Sequence, residues 1–317
     1  MYPRVSVIIP AFNAANTIED LIKSLINQSF SRDKIEIIVV DDCSKDNTLE
    51  IITKIKKEYH LNLYSHEVNK GLAAARNTGI RNSSGKILIF IDADMVVHDN
   101  YIENHVNFHN NRDVMGLVGG IKPAEGIKYD KYQKYLYEAK RGTKKYSSKP
   151  AVPYYVFLFN NTSVKREVID ACGLFDENIR IYGGEDTEFA FRIAKKFPGS
   201  LYCSHTLTAT HNHYRSLDNA LKNLYEFAQT NIPYIINKHP EMSGLYKLKF
   251  LDKNYDNSSI IYRLAGRLIS CKIVYGLNKF LYKISPYPVS NLFVRALMGH
   301  KLLTGIQQGL KNEPDSV

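Results

Sequence analysis

The run Ile87-Leu88-Ile89-Phe90-Ile91, followed at once by Asp92-Ala93-Asp94, constrains this chain more than any other feature. Five consecutive large apolar residues behind the turn signal Ser84-Gly85 predict a short strand buried on both faces, of the kind found in parallel sheets. Open α/β sheets bind ligands at the C-terminal ends of such strands. Two carboxylates one residue apart, on a bend leaving that edge, can face one ligand together. Without a cation they would repel, and one would tend to stay protonated. A divalent metal relieves this, and hard oxygen ligands suit Mg²⁺ or Mn²⁺. The first expectation is therefore a metal site that holds a phosphate-bearing substrate.

The rest of the N-terminal half repeats the same unit. Val5 to Ile9 predicts a strand stopped by Pro10, and Ile35 to Val40 a second strand ending in Asp41-Asp42. Ile18, Leu21, Ile22, Leu25 and Ile26 have helical spacing over 17–28. A helix is expected from Asp46 to about Tyr59, a strand over 61–65 and a helix over 71–82. This alternation predicts a doubly wound, mostly parallel α/β sheet. Further strands are expected at 114–120, 152–159 and 201–210, with a helix at 186–196. Residues 127–149 are basic and Tyr-rich, which fits either a solvated helix or loop, or a flap drawing an anionic acceptor.

Four cysteines (Cys43, Cys172, Cys203, Cys271) lack any CxxC spacing, which argues against a zinc ribbon or a disulfide framework and fits a reducing setting. Met1-Tyr2-Pro3-Arg4 leads straight into a strand without a leader-like segment, and no apolar stretch reaches the ~20 residues that span a bilayer. The expected location is cytoplasmic. A net charge of +10 favours an anionic partner such as a nucleotide, a lipid phosphate or a membrane surface. Nucleic acid is not expected, because no helix-turn-helix, RNP-type or finger pattern is present.

Small polar and acidic residues recur at the predicted strand ends. Pro10-Ala11-Phe12-Asn13 and Asp41-Asp42-Cys43-Ser44 could meet a nucleobase, a carboxylate accepting from its N–H and an aromatic stacking on its ring. Asn13 and Asp42 are equally suited to cap the following helices. The stretch from Asn69 to Gly79 lacks Gly-Lys-Ser/Thr and is not a P-loop. Its Arg76 lies one turn inside a helix, where it would either reach a nucleotide or face solvent.

Taken in order, 5–13, 39–44, 71–79 and 90–94, then Asn161 to Arg166, Gly173-Leu174-Phe175-Asp176 and Gly183-Gly184-Glu185-Asp186, resemble the family 2 inverting glycosyltransferases of GT-A fold. The resemblance covers residues 3–215 and implies roles position by position. Asp42 would bind the base, commonly uracil, with Pro10, Phe12 and Asn13 lining its pocket. Arg76 would contact the nucleotide. Asp92 would serve the ribose or the metal shell, with Ala93 beside it, and Asp94 would coordinate the metal. His211 would complete the metal site, with His213 as second candidate. Asp186 would be the catalytic base, and Glu185 its acceptor-binding neighbour. An inverting transfer needs one carboxylate to deprotonate the acceptor and a cation to stabilise the departing diphosphate.

The implied reaction moves one hexosyl or N-acetylhexosaminyl group from a nucleotide-sugar, a UDP-sugar first, to a saccharide or polyprenyl-linked acceptor in glycan assembly. The chain has no Trp, so the Gln-x-x-Arg-Trp motif of processive members is absent. The expected division is a catalytic domain over 1–215, with a nucleotide-binding half to 120 and an acceptor half after it, and a helical extension over 216–317. In that extension apolar stripes over 258–284 and 291–310 lie among basic residues. They would contact an anionic membrane, or pack on the catalytic domain or on a second subunit of a homo-oligomer. Two rivals stand beside the enzyme. A nucleotidyltransferase would need a Gly-rich N-terminal signature that Pro10-Ala11-Phe12-Asn13 does not provide. A catalytically silent nucleotide-sugar binder would have little use for Asp94, Asp186 and His211 together.

Overall fold

The structure is a computed structural model that describes residues 4–110, 114–146, 151–251 and 260–312. Strand and helix alternate as the periodicity predicts through β1 (Val5–Ala11), α1 (Ile18–Ile26), β2 (Ile35–Asp41), α2 (Thr48–Glu58), β3 (Asn62–Ser65), α3 (Leu72–Arg81) and β4 (Ile87–Ile91). Then come β5 (Met95–Val97), α4 (Tyr101–Asn110), β6 (Gly116–Pro123), α5 (Lys131–Tyr137), β7 (Asn161–Lys165), α6 (Arg166–Cys172), α7 (Glu185–Lys196) and β8 (Leu201–His211). The chain continues as α8 (Leu217–Lys238), α9 (Ile260–Ser270), α10 (Lys272–Ile284) and α11 (Ser290–Asn312).

The eight strands form one sheet in the order β3-β2-β1-β4-β7-β6-β8-β5. β1 to β4 are mutually parallel, β7 runs antiparallel between β4 and β6, and β5 pairs antiparallel with β8. Alternate residues of the buried strands feed two layers. Val5, Val7 and Ile9 pack with α1, while Ile8 packs with Ala73, Ile80 and the Phe159, Phe175 and Phe189 rings. Among these layers sits one polar group of unusual composition. Ser163 on β7 has its hydroxyl 2.8 Å from His105 Nδ1 and 2.8 Å from His109 Nε2, all three side chains buried.

Pro10 does not stop β1, which runs on in register with Val40 and Asp41. The Ala11 carbonyl accepts from Asp42 N–H on the β2 side. Alternation therefore turns Pro10 to the β4 side, where pairing has already ended at Ile8 and Phe90, so its missing donor costs nothing. Val152 to Phe159 is not a strand either. It makes a 3-10 turn at Tyr154–Val156 that seats Phe157 and Phe159 in the core, and the strand comes later, at β7.

The chain divides into two compact units. One comprises Met1–Ile127, Lys140–Arg180 and Glu185–His213, and the other Lys128–Ala139, Ile181–Gly184 and Tyr214–Val317. In the second unit α11 lies along α8, with Val294, Leu297, Leu303 and Ile306 buried. Gly305 and Gly309 permit the approach, because a Cβ at either would strike the α8 backbone. The Tyr-rich segment is not a solvated helix here. Asp130 caps α5 by accepting from Tyr132 and Gln133 N–H, and Tyr132 and Tyr135 join a core with Leu221 and Leu297. Lys131 donates to the Tyr282, Lys283 and Ser285 carbonyls at the end of α10. The amphipathic stretch 258–284 is two helices broken at Cys271, and residues 147–149 and 258–259 of the two segments lie outside the described residues. Among the described residues no helix is long and apolar enough to cross a membrane, and all four cysteines are free.

Candidate active site

Because β1, β2 and β4 run in one direction, their exits place 12–14, 42–46 and 92–94 at the same edge of the sheet. The first two loops are stitched together. Asn13 N–H donates to Ser44 Oγ at 2.9 Å, Lys45 N–H donates to Asn13 Oδ1 at 2.8 Å, and Ala14 N–H donates to Thr48 Oγ1 at 2.7 Å. Asn13 and Cys43 pay for the sharp exits with left-handed backbone, φ +50° and +62°. Phe12 is left half in solvent, whereas Pro10 is buried in the strand.

Asp42 is buried, and its carboxylate is held on several sides. Oδ1 accepts from Lys70 N–H at 2.8 Å and from His66 Nδ1 at 2.7 Å, and Oδ2 accepts from Gly71 N–H at 2.8 Å. On the other side of the ring, His66 Nε2 lies 2.9 Å from the Thr78 hydroxyl, so the imidazole is held at both nitrogens. His66 is a residue the sequence reasoning missed. Its signal was its place, directly after β3 at the same C-terminal edge.

Arg76, at 1% exposure, is the hub of the second cluster. Its Nη1 lies 2.5 Å from Asp186 Oδ1 and 3.3 Å from Glu185 Oε1, and its Nη2 lies 3.5 Å from Asp92 Oδ1 and 3.3 Å from the Phe159 carbonyl. Phe159 N–H donates to Asp186 Oδ2 at 3.0 Å. Asp186 is thus gripped at both oxygens, by a guanidinium on one side and a backbone amide on the other. The acidic pair reaches this point because Gly183 and Gly184, at φ +103° and +100°, turn the chain as only glycine does easily, just before α7 opens at Glu185.

Burial works against the Arg76 charge, but Asp186, Asp92 and Glu185 outweigh it and hold its pKa above the ordinary value. Glu185 is raised, first by burial and then by the Asp186 charge, although Arg76 pulls the other way. Asp92 is also pushed upward by burial and by the charges of Asp94 and Asp186, against Arg76. It keeps 34% of its side-chain surface in solvent. Asp94 goes the other way. Burial favours its neutral form, but His211 and His213 hold it below the usual carboxylate range.

His211 Nε2 lies 3.1 Å from Asp94 Oδ2, brought there by the β5–β8 pairing of Met95 with His211. The other oxygen, Asp94 Oδ1, is buried with no hydrogen-bond partner. A buried carboxylate oxygen without a donor is an open ligand position, which fits a hard divalent cation. Asp92 turns to Arg76 instead, and among the described residues no three His, Cys, Asp or Glu side chains converge on one point. The carboxylate, with substrate phosphates supplying further oxygens, suits Mg²⁺ or Mn²⁺, the imidazole favours Mn²⁺ of the two, and two protein ligands fall short of the closed four-ligand set of a structural zinc.

A mostly parallel α/β sheet with its acidic side chains gathered at the C-terminal strand edge is the GT-A type of fold. The family model described as glycosyl transferase family 2 matches residues 6–173, and the chain belongs to that family. It is 29% identical over 236 residues to the uncharacterized glycosyltransferase YfnE of Bacillus subtilis, across 60% of each chain. It is 34% identical over 188 residues to the glycosyltransferase AglE of Haloferax volcanii, across 58% of this chain and 59% of that one. The matches thus span about three-fifths of those relatives' own lengths. Among solved structures, the chain is similar to the mannosyltransferase PcManGT from Pyrobaculum calidifontis in complex with GDP-Man and Mn²⁺. The TM-score is 0.66 at 19% identity, covering 99% of this chain and 89% of the other. At that identity the likeness shows the fold.

Proposed function

We propose that this protein is a metal-dependent, inverting, non-processive glycosyltransferase. It would move a hexosyl or N-acetylhexosaminyl group from a nucleotide-sugar, a UDP-sugar first, to a saccharide acceptor, free or carried on a lipid. The observation that carries this is the gathering of Asp92, Glu185 and Asp186 on the one guanidinium of Arg76, within a chain segment whose Asp94 is paired with His211.

Asp186 is the base. Arg76 and the Phe159 amide fix the orientation of its carboxylate, so that it can take the proton of an acceptor hydroxyl. Glu185, buried beside it with Oε1 3.3 Å from Arg76 Nη1, is assigned to bind the acceptor. The hydroxyl oxygen then forms its bond to the anomeric carbon on the side opposite the departing group. The bond from that carbon to the phosphate oxygen breaks, and the nucleoside diphosphate leaves with the electron pair. Phe12 offers an aromatic face to the base, and Asp42, held by His66 and the 70–71 amides, shapes the polar end of the same pocket. A Mn²⁺ or Mg²⁺ on Asp94 and His211 would neutralise charge on the diphosphate. The lack of any Trp in the chain supports single rather than processive transfer.

The test is release of nucleoside diphosphate from a panel of nucleotide-sugars with Mn²⁺ and mixed saccharide acceptors, with the anomeric configuration of the product read by NMR. Asp186→Asn and Asp94→Asn should each lower turnover by about 10²–10⁴-fold. Failure of the wild type with every donor, or variants as active as the wild type, would overturn the assignment.

A further inference from the structure

Two helices of the C-terminal unit carry large apolar side chains that nothing covers among the described residues. Ile261, Leu264 and Leu268 on α9, and Ile273, Leu277 and Ile284 on α10, are each between 55% and 82% exposed. Their spacing puts each trio on one face of its helix, and Phe280 completes the α10 stripe. The same unit does bury apolar faces where it has a partner for them, since Leu297 and Ile306 of α11 are wholly buried. Exposed apolar stripes of this kind mark an interaction site.

The charges around the stripes say what covers them. Residues 260–312 contain eight Lys and Arg and no Asp or Glu. At about 100° per residue, Arg263 and Arg267 fall to one flank of the α9 stripe, and Lys272 and Lys283 to one flank of the α10 stripe. All four are exposed, whereas Lys279 is paired with Asp218 at 2.9 Å. A second copy of this face would bring like charges together, whereas an anionic surface would complement them. Helices of 11 and 13 residues reach only ~16–20 Å, too short for a bilayer core of about 30 Å, so they would lie on a membrane rather than cross it.

We infer that α9 and α10 form an interfacial anchor for an anionic phospholipid bilayer. The apolar stripes enter the boundary between headgroups and acyl chains, and Arg263, Arg267, Lys272 and Lys283 meet lipid phosphates. This anchoring is independent of the sugar-transfer reaction and stands or falls without it.

Because the chain has no Trp, a single Phe280→Trp substitution in the full-length protein gives a fluorescence signal without background. With phosphatidylcholine vesicles containing phosphatidylglycerol, its emission should shift to the blue and be quenched by lipids brominated at shallow acyl positions. Pure phosphatidylcholine vesicles should bind at least tenfold less, and added salt should release the protein. In the same background, Ile273→Ser with Leu277→Ser should lower the bound fraction at least tenfold with an unchanged circular dichroism spectrum. Lys272→Glu with Lys283→Glu should remove the preference for anionic vesicles. An unshifted, unquenched Trp, or binding that neither pair of substitutions reduces, overturns the anchor. So does a dimer in sedimentation that the Ser pair dissolves while vesicles bind nothing, which would make the face an interface between copies.

Discussion

The two units break the ordinary sorting of side chains in opposite directions. Around the sheet, a guanidinium and a glutamate are buried at 1% and 4% exposure, beside the less buried carboxylates of Asp92 and Asp186. In the C-terminal helices, Leu277 and Ile273 stand 55% and 82% in solvent although the same unit has an apolar core. Burying charge and exposing apolar surface both cost stability. The first inversion preforms an electrostatic cluster, which is what the proposed transfer requires. The second withholds an apolar surface from the protein so that something else can cover it. Departures from packing rules of this size are expected at functional sites.

The contrast can be broken at its strongest point first. Arg76→Met would leave Asp92, Glu185 and Asp186 facing one another without their shared cation, and urea unfolding should lose about 3–5 kcal/mol. Arg76→Lys should recover part of it. A loss below about 1 kcal/mol would mean that the buried cluster is not held by its cation. Slightly smaller is the expected cost of Leu297→Ala, wholly buried on α11, at about 2–5 kcal/mol in the same assay.

The buried histidines give a third handle. Burial lowers His105 to about 3 and His109 to about 4, against an ordinary value of 6.5. Both are neutral in the folded protein, so below pH 6.5 the unfolded chain binds more protons than the folded one. Their contribution is therefore complete above pH 6.5 and is lost as pH falls toward 4, by up to about 1.4 kcal/mol per pH unit for each. Between pH 7 and 5, urea unfolding of His109→Gln should lose less stability than the wild type, and parallel slopes would contradict the buried neutral pair. The smallest effect belongs to the exposed stripe. Leu277→Ala should change stability by no more than about 0.5 kcal/mol, and a loss comparable to Leu297→Ala would show that this face is covered within the protein.

Much of the sheet was legible because its information is local. A five-residue apolar run between turn signals can hardly be anything but a buried strand, and the alternation to β4 follows from period and length alone. The misjudged elements were those where composition and partner disagree. Val152 to Phe159 has strand-like residues, but Phe157 and Phe159 spend their bulk on a core beneath a turn. Asn161 to Lys165 has only two β-branched residues, yet it is the strand that separates β4 from β6. The candidate residues at the strand ends were recognisable one by one, and their partners were not. Nothing near Arg76 in the chain announces carboxylates 109 and 110 residues away, and nothing near Asp42 announces His66.

By itself, the sequence determined the strand and helix alternation as far as β4, which edge of the sheet collects acidic side chains, and that the C-terminal helices are two-faced and basic. Those are properties of local periodicity and covalent order, set before any two segments meet. The tertiary structure alone decided that Arg76 serves three carboxylates, that Asp92 turns from Asp94 while His211 turns toward it, and that α11 buries its face while α9 and α10 do not. A helical stripe states that an apolar face exists. Only packing, where each face must find a partner or remain in water, settles what covers it.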